Sequence, residues 1–320
     1  MEFVDNARVQ VFFMTGFLES GKTLFLSQTL EMDYFRMDGR TVLILCEEGE
    51  EEYDPNLLEE TNTVLVTVDS PEELTPEYLR KIDEMYQPER VIFECNGMYP
   101  VSKMEALEAP EGWGIIQEIC TVDAGTFNIY LANMKSLFTD MVRNAELVVF
   151  NRCTREMPLA AYRRSVKVVN QAAELIFEDE DGEEIENIFD EEMPFDLNAP
   201  VIQIDDMDYG IWYMDTIDHP ERYEGKVVEF RGEIKKPRRL ASDEFIVGRM
   251  AMTCCADDMT FLGFVVRSKH AASLQSGQWI QVKGQISNEY HPIYREEGPV
   301  VQLQHGKGVV KPEDELVYFN

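Results

Sequence analysis

Residues 16–23 of this 320-residue chain read GFLESGKT. The octapeptide fits the pattern G-x-x-x-x-G-K-[ST], in which a glycine-rich turn joins a buried strand to a helix. An apolar run, RVQVFFMT at 8–15, precedes the turn, and a helical pattern, TLFLSQTL at 23–30, follows it. The stretch therefore predicts the start of an α/β P-loop NTPase domain.

The residue types in this loop suit the phosphates of a nucleotide. Gly16 and Gly21 let the backbone N–H groups point inward at an anion. Lys22 is expected to contact the β- and γ-phosphates, and Thr23 to give its hydroxyl to Mg²⁺. The helix that follows adds the positive end of its dipole.

Two further loop residues, Glu19 and Ser20, belong to the predicted nucleotide site. Glu19 is unusual there, because an acidic side chain must point outward or weaken phosphate binding. The ordinary alternative for the whole stretch is a glycine-rich turn without a ligand, but the flanking strand and helix patterns favour nucleotide binding.

The first 200 residues alternate short apolar runs with longer amphipathic segments. Continuous apolar runs are typical of strands buried on both faces, and they lie at 8–15, 41–46, 63–68, 90–95, 119–123, 146–151 and 173–178. Amphipathic segments predict helices at 22–33, 72–87, 129–144 and 156–170. This alternation predicts a mostly parallel sheet covered by helices.

The pattern changes after residue 210. Short, glycine-bounded runs predict a small all-β domain, most simply an OB-like barrel, with strands at 226–234, 244–248, 261–266, 278–286 and 299–304. Residues 211–320 carry 14 basic and 16 acidic side chains, whereas residues 1–210 carry 15 and 45. Pattern and charge together predict two domains, 1–200 and 211–320.

Composition excludes some functions and indicates a compartment. The formal net charge is −32, which disfavours nonspecific binding to nucleic acid or to anionic membranes. No run approaches the 18 or so apolar residues that a membrane span needs, so we expect no direct membrane insertion. The six cysteines lie mostly in apolar runs, which is typical of a reduced protein. We therefore expect a cytoplasmic protein without a secretory leader.

Five segments resemble, in order, those of the CobW-like branch of the CobW/HypB/UreG family of metal-homeostasis GTPases. GFLESGKT is similar to the branch's GFLGAGKT, and CEEGEEEYD at 46–54 to its N-E-F-G-E-x-G-x-D. ECNGMYP at 94–100 resembles E-T-T-G-x-x-x-P, and TVDAGTF at 121–127 resembles the V-D-A segment. NRCT at 151–154 stands where the family has the guanine-reading N-K-x-D. The resemblance covers about residues 8–195.

The resemblance implies Mg²⁺-dependent binding and slow hydrolysis of a GTP-type nucleotide, coupled to metal-ion homeostasis or to control of a partner protein. It implies catalytic roles for Lys22, Glu47 and Glu94, with Thr23 and Glu94 as Mg²⁺ ligands. The residues themselves agree, since Glu47 and Glu94 lie at or just past the ends of predicted strands, where a parallel sheet presents its ligand crevice. A nucleotide-sensing module or scaffold with little or no turnover is the alternative.

The base-reading segment departs from the family pattern. Asn151 is retained, but Arg152 replaces the usual Lys and Thr154 the usual Asp. A threonine hydroxyl cannot accept two hydrogen bonds from the guanine edge as a carboxylate does. We therefore expect Asn151, Arg152 and Thr154 to line the base pocket with only weak preference for GTP over ATP.

A second resemblance, over residues 215–286, depends on the segments MDTIDHPERYEGKVVEFRGEI, FIVGRMAMTCCADD and WIQVKGQI. These segments resemble the soluble domain of a YcgQ-like bacterial family whose members accompany a permease. A permease or a metal-receiving protein is therefore a candidate partner. Cys254 and Cys255 offer thiolates for Zn²⁺ or another thiophilic ion, with further ligands from His291, His305 or an Asp. The ordinary alternative is one buried and one half-exposed thiol. Residues 55–90 contain no cysteine, whereas the CobW-like branch carries a C-x-C-C motif there.

Overall fold

The computed structural model describes residues 1, 3, 7–47, 49–185, 193–252 and 259–317. The chain divides into two compact units, one formed by Met1–Leu159 with Val169–Ile188, the other by Ala160–Val168 with Phe189–Asn320. The structure thus groups a short segment of the predicted first domain with the second unit. The boundary between 200 and 211 stays a prediction about separable fragments.

The first unit contains a seven-stranded, all-parallel sheet in the order β3-β2-β4-β1-β5-β6-β7. Its strands are β1 (Val9–Thr15), β2 (Thr41–Leu45), β3 (Thr63–Thr67), β4 (Arg90–Glu94), β5 (Trp113–Asp123), β6 (Leu147–Asn151) and β7 (Glu174–Phe177). All seven predicted strands are present, and the predicted α/β class with a parallel sheet is confirmed.

Helices connect these strands. They are α1 (Lys22–Glu31), α2 (Pro55–Glu60), α3 (Pro76–Tyr86), α4 (Val101–Glu105), α5 (Phe127–Asn133), α6 (Lys135–Val142) and α7 (Leu159–Lys167). The helix predicted at 129–144 is two helices, because Met134 leaves helical geometry at φ −133° and ψ 35°. Sequence patterns missed α2 and α4, which are too short to show a helical period.

The sheet is buried on both faces, as continuous apolar runs predict. Along β2, Val42 and Ile44 enter one core cluster, and Leu43 between them enters the other with Leu26 of α1. Successive side chains on a strand point to opposite faces, so one run of apolar residues serves both layers.

The second unit is built around antiparallel strands. It contains β8 (Ile202–Gln203), β9 (Val227–Lys235), β10 (Glu244–Met252), β11 (Met259–Arg267), β12 (Trp279–His291), β13 (Glu296–Gly308) and β14 (Leu316–Val317), with the helix α8 (Tyr209–Asp218). Five strands pair in a closed circuit, β9-β10-β11-β13-β12-β9, in which only β11–β13 is parallel. The predicted all-β domain is confirmed.

Helix α8 closes one part of the core of this unit. Trp212 is fully buried, with its ring 4.7 Å from Phe230 and 5.0 Å from Phe264. Sequence patterns missed α8, because seven of its ten residues are buried and it shows no polar face. Among the described residues, no helix is long and apolar enough to cross a membrane.

Candidate nucleotide-binding site

The loop at 16–23 joins β1 to α1 as predicted. Gly16 has φ of 140°, and a Cβ there would collide with the Ser20 hydroxyl and the Thr121 carbonyl, so the position requires glycine. Gly21 directly precedes α1. Within the described chain, no side chain caps the start of this helix, and its first turn carries no acidic residue. Its N–H groups are therefore open to an anion.

The two remaining polar loop residues are tied to neighbouring segments. Glu19 has a left-handed φ of 59°, and its Oε1 accepts a hydrogen bond from the backbone N–H of Glu50 at 3.0 Å. Ser20 Oγ lies 3.0 Å from Thr121 Oγ1. The Glu19 carboxylate thus reaches across the site to the segment that follows β2.

Lys22 is the buried cation of the site. Its Nζ donates to the carbonyl oxygens of Gly16 at 3.1 Å and Phe17 at 3.0 Å. It also donates to Glu47 Oε2 at 3.1 Å, and the Lys22 side chain is only 4% exposed. All three ammonium donors are therefore engaged by the protein.

Glu94, the last residue of β4, is 2% exposed and lies beside the start of α1. Its Oε1 accepts a hydrogen bond from Thr23 Oγ1 at 2.7 Å, and its Oε2 accepts one from the Tyr53 hydroxyl. Burial raises the pKa of Glu94, against the lowering effect of these two hydrogen bonds and of Lys22. The Thr23 hydroxyl and Glu94 carboxylate are hard oxygen donors that fit Mg²⁺.

Sequence reasoning missed Tyr53 as a site residue. Its side chain is buried, and it directly precedes Asp54, whose carboxylate caps α2 by accepting from the Asn56 N–H at 2.9 Å. The capped helix fixes the end of the 46–54 segment and thereby places the phenol against Glu94. The one feature of the sequence that could have indicated a role for Tyr53 is that it is a single aromatic residue in a mostly acidic stretch.

Asn151, the last residue of β6, contacts the phosphate loop. Its Nδ2 donates to the Ser20 carbonyl at 2.7 Å, while its Oδ1 is buried without a partner in the structure. Arg152 has a left-handed φ of 53° and pairs with Asp123 at 2.5 Å and with the Glu19 carbonyl at 3.0 Å. These contacts place both residues at the end of the loop.

Thr154, three residues after Asn151, is exposed and does not line the cavity of the phosphate loop. Its hydroxyl hydrogen-bonds the carboxylate of Glu156 and lowers the pKa of that exposed group. The structure therefore brings Asn151 and Arg152 to the phosphate loop, and it links Thr154 to a neighbouring carboxylate.

The phosphate loop, the start of α1, the segment after β2, Glu94 and Arg152 line a cavity of about 180 Å³. Its charged lining comprises two cations and five acids, namely Lys22, Arg152, Glu19, Glu47, Glu50, Glu51 and Glu94. An anionic ligand in such a cavity is repelled unless a cation accompanies it.

The candidate ligands for a thiophilic metal ion are not brought together among the residues that the structure describes. No group of three or more His, Cys, Asp or Glu side chains within the described ranges could hold an ion. Cys254 and Cys255 lie outside those residues. Both ring nitrogens of His291 already have partners, Glu244 Oε2 at 3.2 Å and the Ile293 N–H at 3.2 Å.

The first unit holds four cysteines, all buried: Cys46, Cys95, Cys120 and Cys153. Burial, with smaller effects from Glu94 and Glu47, raises the pKa of Cys46 to about 12. Cys46 is therefore a neutral thiol at physiological pH.

Comparison with known proteins gives matches on both units. Residues 10–177 match the CobW/HypB/UreG nucleotide-binding domain family, and residues 180–319 match the DUF1980 C-terminal domain family. The UPF0703 protein YcgQ of Bacillus subtilis is 27% identical over 106 residues, which is 33% of this chain and 37% of that protein. The chain therefore aligns with just over a third of this relative. Both resemblances drawn from the sequence are confirmed.

Solved structures with low sequence identity are also similar. The Zn(II)-bound YjiA GTPase from E. coli is 13% identical, with 92% of this chain and 89% of that chain covered and a TM-score of 0.43. Hydrogenase maturation factor HypB from Archaeoglobus fulgidus is 16% identical, with 53% and 81% covered and a TM-score of 0.38.

Proposed function

The chain belongs to the CobW/HypB/UreG nucleotide-binding family, and on that premise we propose that it binds and slowly hydrolyses a GTP-type nucleoside triphosphate with Mg²⁺. One observation carries the proposal. The phosphate loop, the buried Lys22 and the Thr23–Glu94 pair converge on one cavity. A lysine, a hydroxyl and a carboxylate at these places are groups that bind the phosphates and Mg²⁺ in triphosphate hydrolysis.

Each residue has a role in this scheme. Lys22 and the N–H groups at the start of α1 hold the phosphates. Thr23 and Glu94 would hold Mg²⁺, which supplies charge neutralisation when bound. Glu47 is a second carboxylate beside the phosphate loop, and it could bind the Mg²⁺ ion directly or through a water molecule. The protein does little covalent work in such reactions, so positioning of these groups is the main contribution.

We further propose that the base pocket, lined by Asn151, Arg152 and Thr154, accepts GTP with only weak preference over ATP. Thr154 offers one hydroxyl where the family has a carboxylate. Arg152 can lay its stem on the base while its guanidinium stays paired with Asp123.

We propose that the second unit couples nucleotide hydrolysis to metal-ion homeostasis or to a partner protein. The closed five-strand circuit with one parallel pairing supports an OB-like barrel. The relation to YcgQ supports a role toward a partner, either a permease or a metal-receiving protein, in the cytoplasm. Cys254 and Cys255 remain our candidates for a thiophilic ion such as Zn²⁺.

A thermal-shift panel tests nucleotide binding. Full-length protein is heated with GTP, ATP, GDP or ADP, with and without Mg²⁺. A ligand at about 100 times its dissociation constant stabilises a protein by about 2.7 kcal/mol. We expect both triphosphates to raise the melting temperature and Mg²⁺ to enlarge the effect. The absence of any shift would contradict the proposal.

A nucleotide sensor with little turnover is the second candidate. Thr154 favours it, together with the absence of cysteine between residues 55 and 90. Phosphate release separates the two functions. A sensor binds nucleotide but releases phosphate no faster than the Lys22→Ala variant, whereas a hydrolase exceeds that background.

A further inference from the structure

One carboxylate oxygen of Glu47 accepts hydrogen bonds from two separate elements. Lys22 Nζ, at the start of α1, lies 3.1 Å from Glu47 Oε2. The backbone nitrogen of Gly97, in the segment after β4, lies 3.3 Å from the same oxygen. The Glu47 side chain is 13% exposed, so this contact is largely shielded from water.

The two donors form an anion position beside the phosphate loop. Gly97 approaches the loop so closely that a Cβ on it would lie 2.6 Å from the Gly16 carbonyl oxygen and 2.7 Å from Phe17 Cα. Only glycine brings its N–H to this point without a clash. A loop lysine together with an inward-pointing N–H is the donor set that holds phosphate oxygens.

We propose that Glu47 holds the place of the terminal phosphate in the nucleotide-free protein and thereby sets the selectivity between triphosphate and diphosphate. This inference rests on the proposed nucleotide function and deepens it. A triphosphate brings its γ-phosphate to Lys22 and displaces Glu47, because two anions in a shielded cavity repel each other. A diphosphate brings only its β-phosphate to Lys22, and the ammonium, which has three donors, can contact that phosphate while it keeps its bond to Glu47.

The displacement also changes the contacts between two chain segments. Glu47 links the 46–54 segment to Gly97. When a γ-phosphate takes over Lys22 and the Gly97 N–H, that link is lost. In the diphosphate-bound protein the Gly97 N–H holds the Glu47 carboxylate. In the triphosphate-bound protein it holds a phosphate oxygen.

A different result is expected if Glu47 only neutralises the charge of Lys22. Removing the Glu47 charge would then strengthen the binding of diphosphate and triphosphate by the same factor. Selectivity between the two nucleotides is therefore the property to measure, since a general charge effect leaves it unchanged.

The test measures the dissociation constants of GDP and of the non-hydrolysable analogue GMPPNP, with Mg²⁺, for the full-length chain. Wild type is compared with Glu47→Gln and with Glu51→Gln. Glu51 lines the same cavity and loses the same charge, so it controls for general electrostatics. Glu47→Gln should bind GMPPNP about tenfold more tightly, because a charge-assisted competitor for Lys22 is removed, with at most about a twofold change for GDP. Glu51→Gln should shift both nucleotides by one common factor.

A second variant protects the test against a folding defect. Glu47→Asp keeps the charge but shortens the side chain by one methylene. The shorter carboxylate should bind Lys22 and the Gly97 N–H more weakly. Glu47→Asp should therefore also favour GMPPNP over GDP. Equal shifts for GDP and GMPPNP in Glu47→Gln and Glu47→Asp would overturn the inference while nucleotide binding stands. If wild type and variants bind neither nucleotide, the proposed function fails and the inference fails with it.

Discussion

The phosphate end and the base end of the candidate site differ in what holds them in place. At the phosphate end, main-chain geometry and strand ends bring Lys22 into contact with the Gly16 carbonyl and Thr23 into contact with Glu94. At the base end, Asn151 still contacts the loop, but Thr154 is an exposed side chain bonded to Glu156. A change at Thr154 disturbs no core residue. Base selectivity can therefore be altered while the phosphate site stays intact.

The largest effect is expected from the phosphate end. Lys22→Ala removes the ammonium that would contact two phosphates, so triphosphate binding should be abolished or weakened by about tenfold or more. Lys81→Ala, which removes an exposed lysine of α3, is the control. Titration of a fluorescent triphosphate analogue measures both variants. An unchanged dissociation constant in Lys22→Ala would refute the phosphate-loop assignment.

The base end should respond in selectivity rather than in overall affinity. Thr154→Asp supplies a carboxylate for the guanine edge and should raise the preference for GTP over ATP about ten- to a hundredfold. Thr154→Asn, similar in size but uncharged, is the matched control. Competition of GTP and ATP for a fluorescent nucleotide gives the ratio. A wild-type preference already above about a hundredfold would indicate another base-reading residue, with Glu156 the first candidate.

A change of pH is expected to have a smaller effect, confined to the part of nucleotide binding that depends on Mg²⁺. Burial raises the pKa of Glu94 above the ordinary 4.5, so its carboxylate takes up a proton at a higher pH than usual. The Mg²⁺-dependent part of nucleotide binding should therefore weaken as the pH falls through that raised value. Glu94→Gln should lack this part at every pH. Nucleotide titrations with and without Mg²⁺ from pH 5 to 8 provide the measurement.

Glu118 is the matched control for Glu94, because it is also a buried carboxyl but lies away from the cavity. Burial and neighbouring acids, chiefly Glu105, raise its pKa to about 9. The unfolded chain then holds fewer protons between pH 4.5 and 9, so wild-type stability should fall as the pH rises through this window. Glu118→Gln should reduce that slope in urea unfolding and leave the Mg²⁺ effect unchanged. A loss of the Mg²⁺ effect in Glu118→Gln would contradict the assignment of Glu94.

The smallest effect is expected at Glu19. Glu19→Gly suits the left-handed φ of 59° and removes one acid from the cavity, so nucleotide affinity should rise about threefold. Glu19→Gln removes the charge but keeps the backbone strain and separates the two contributions. Isothermal calorimetry with GMPPNP compares them. Weaker binding in both variants would show that the tie from Glu19 to Glu50 supports the site.

The sequence was least informative where polar residues lie inside the fold. The predicted strand at 119–123 covers only part of β5, which begins at Trp113, because Gln117 and the buried Glu118 interrupt the apolar pattern. A pattern of apolar residues reports burial through hydrophobicity and cannot detect a buried carboxyl. Helix α8 was not predicted for the opposite reason. A helix that is buried on nearly all sides shows no helical alternation of apolar and polar residues.

The sequence by itself determined the parallel α/β unit, the phosphate loop and the identity of Lys22, Thr23 and Glu94 as candidate groups. Those inferences depend on spacing along the chain, which periodicity and local turn chemistry record. Only the tertiary structure decided that Tyr53 bonds Glu94 and that Glu47 shares its carboxylate between Lys22 and Gly97. These partners lie tens of residues apart and meet because β2 and β4 are neighbours in the sheet, an order that no local pattern encodes.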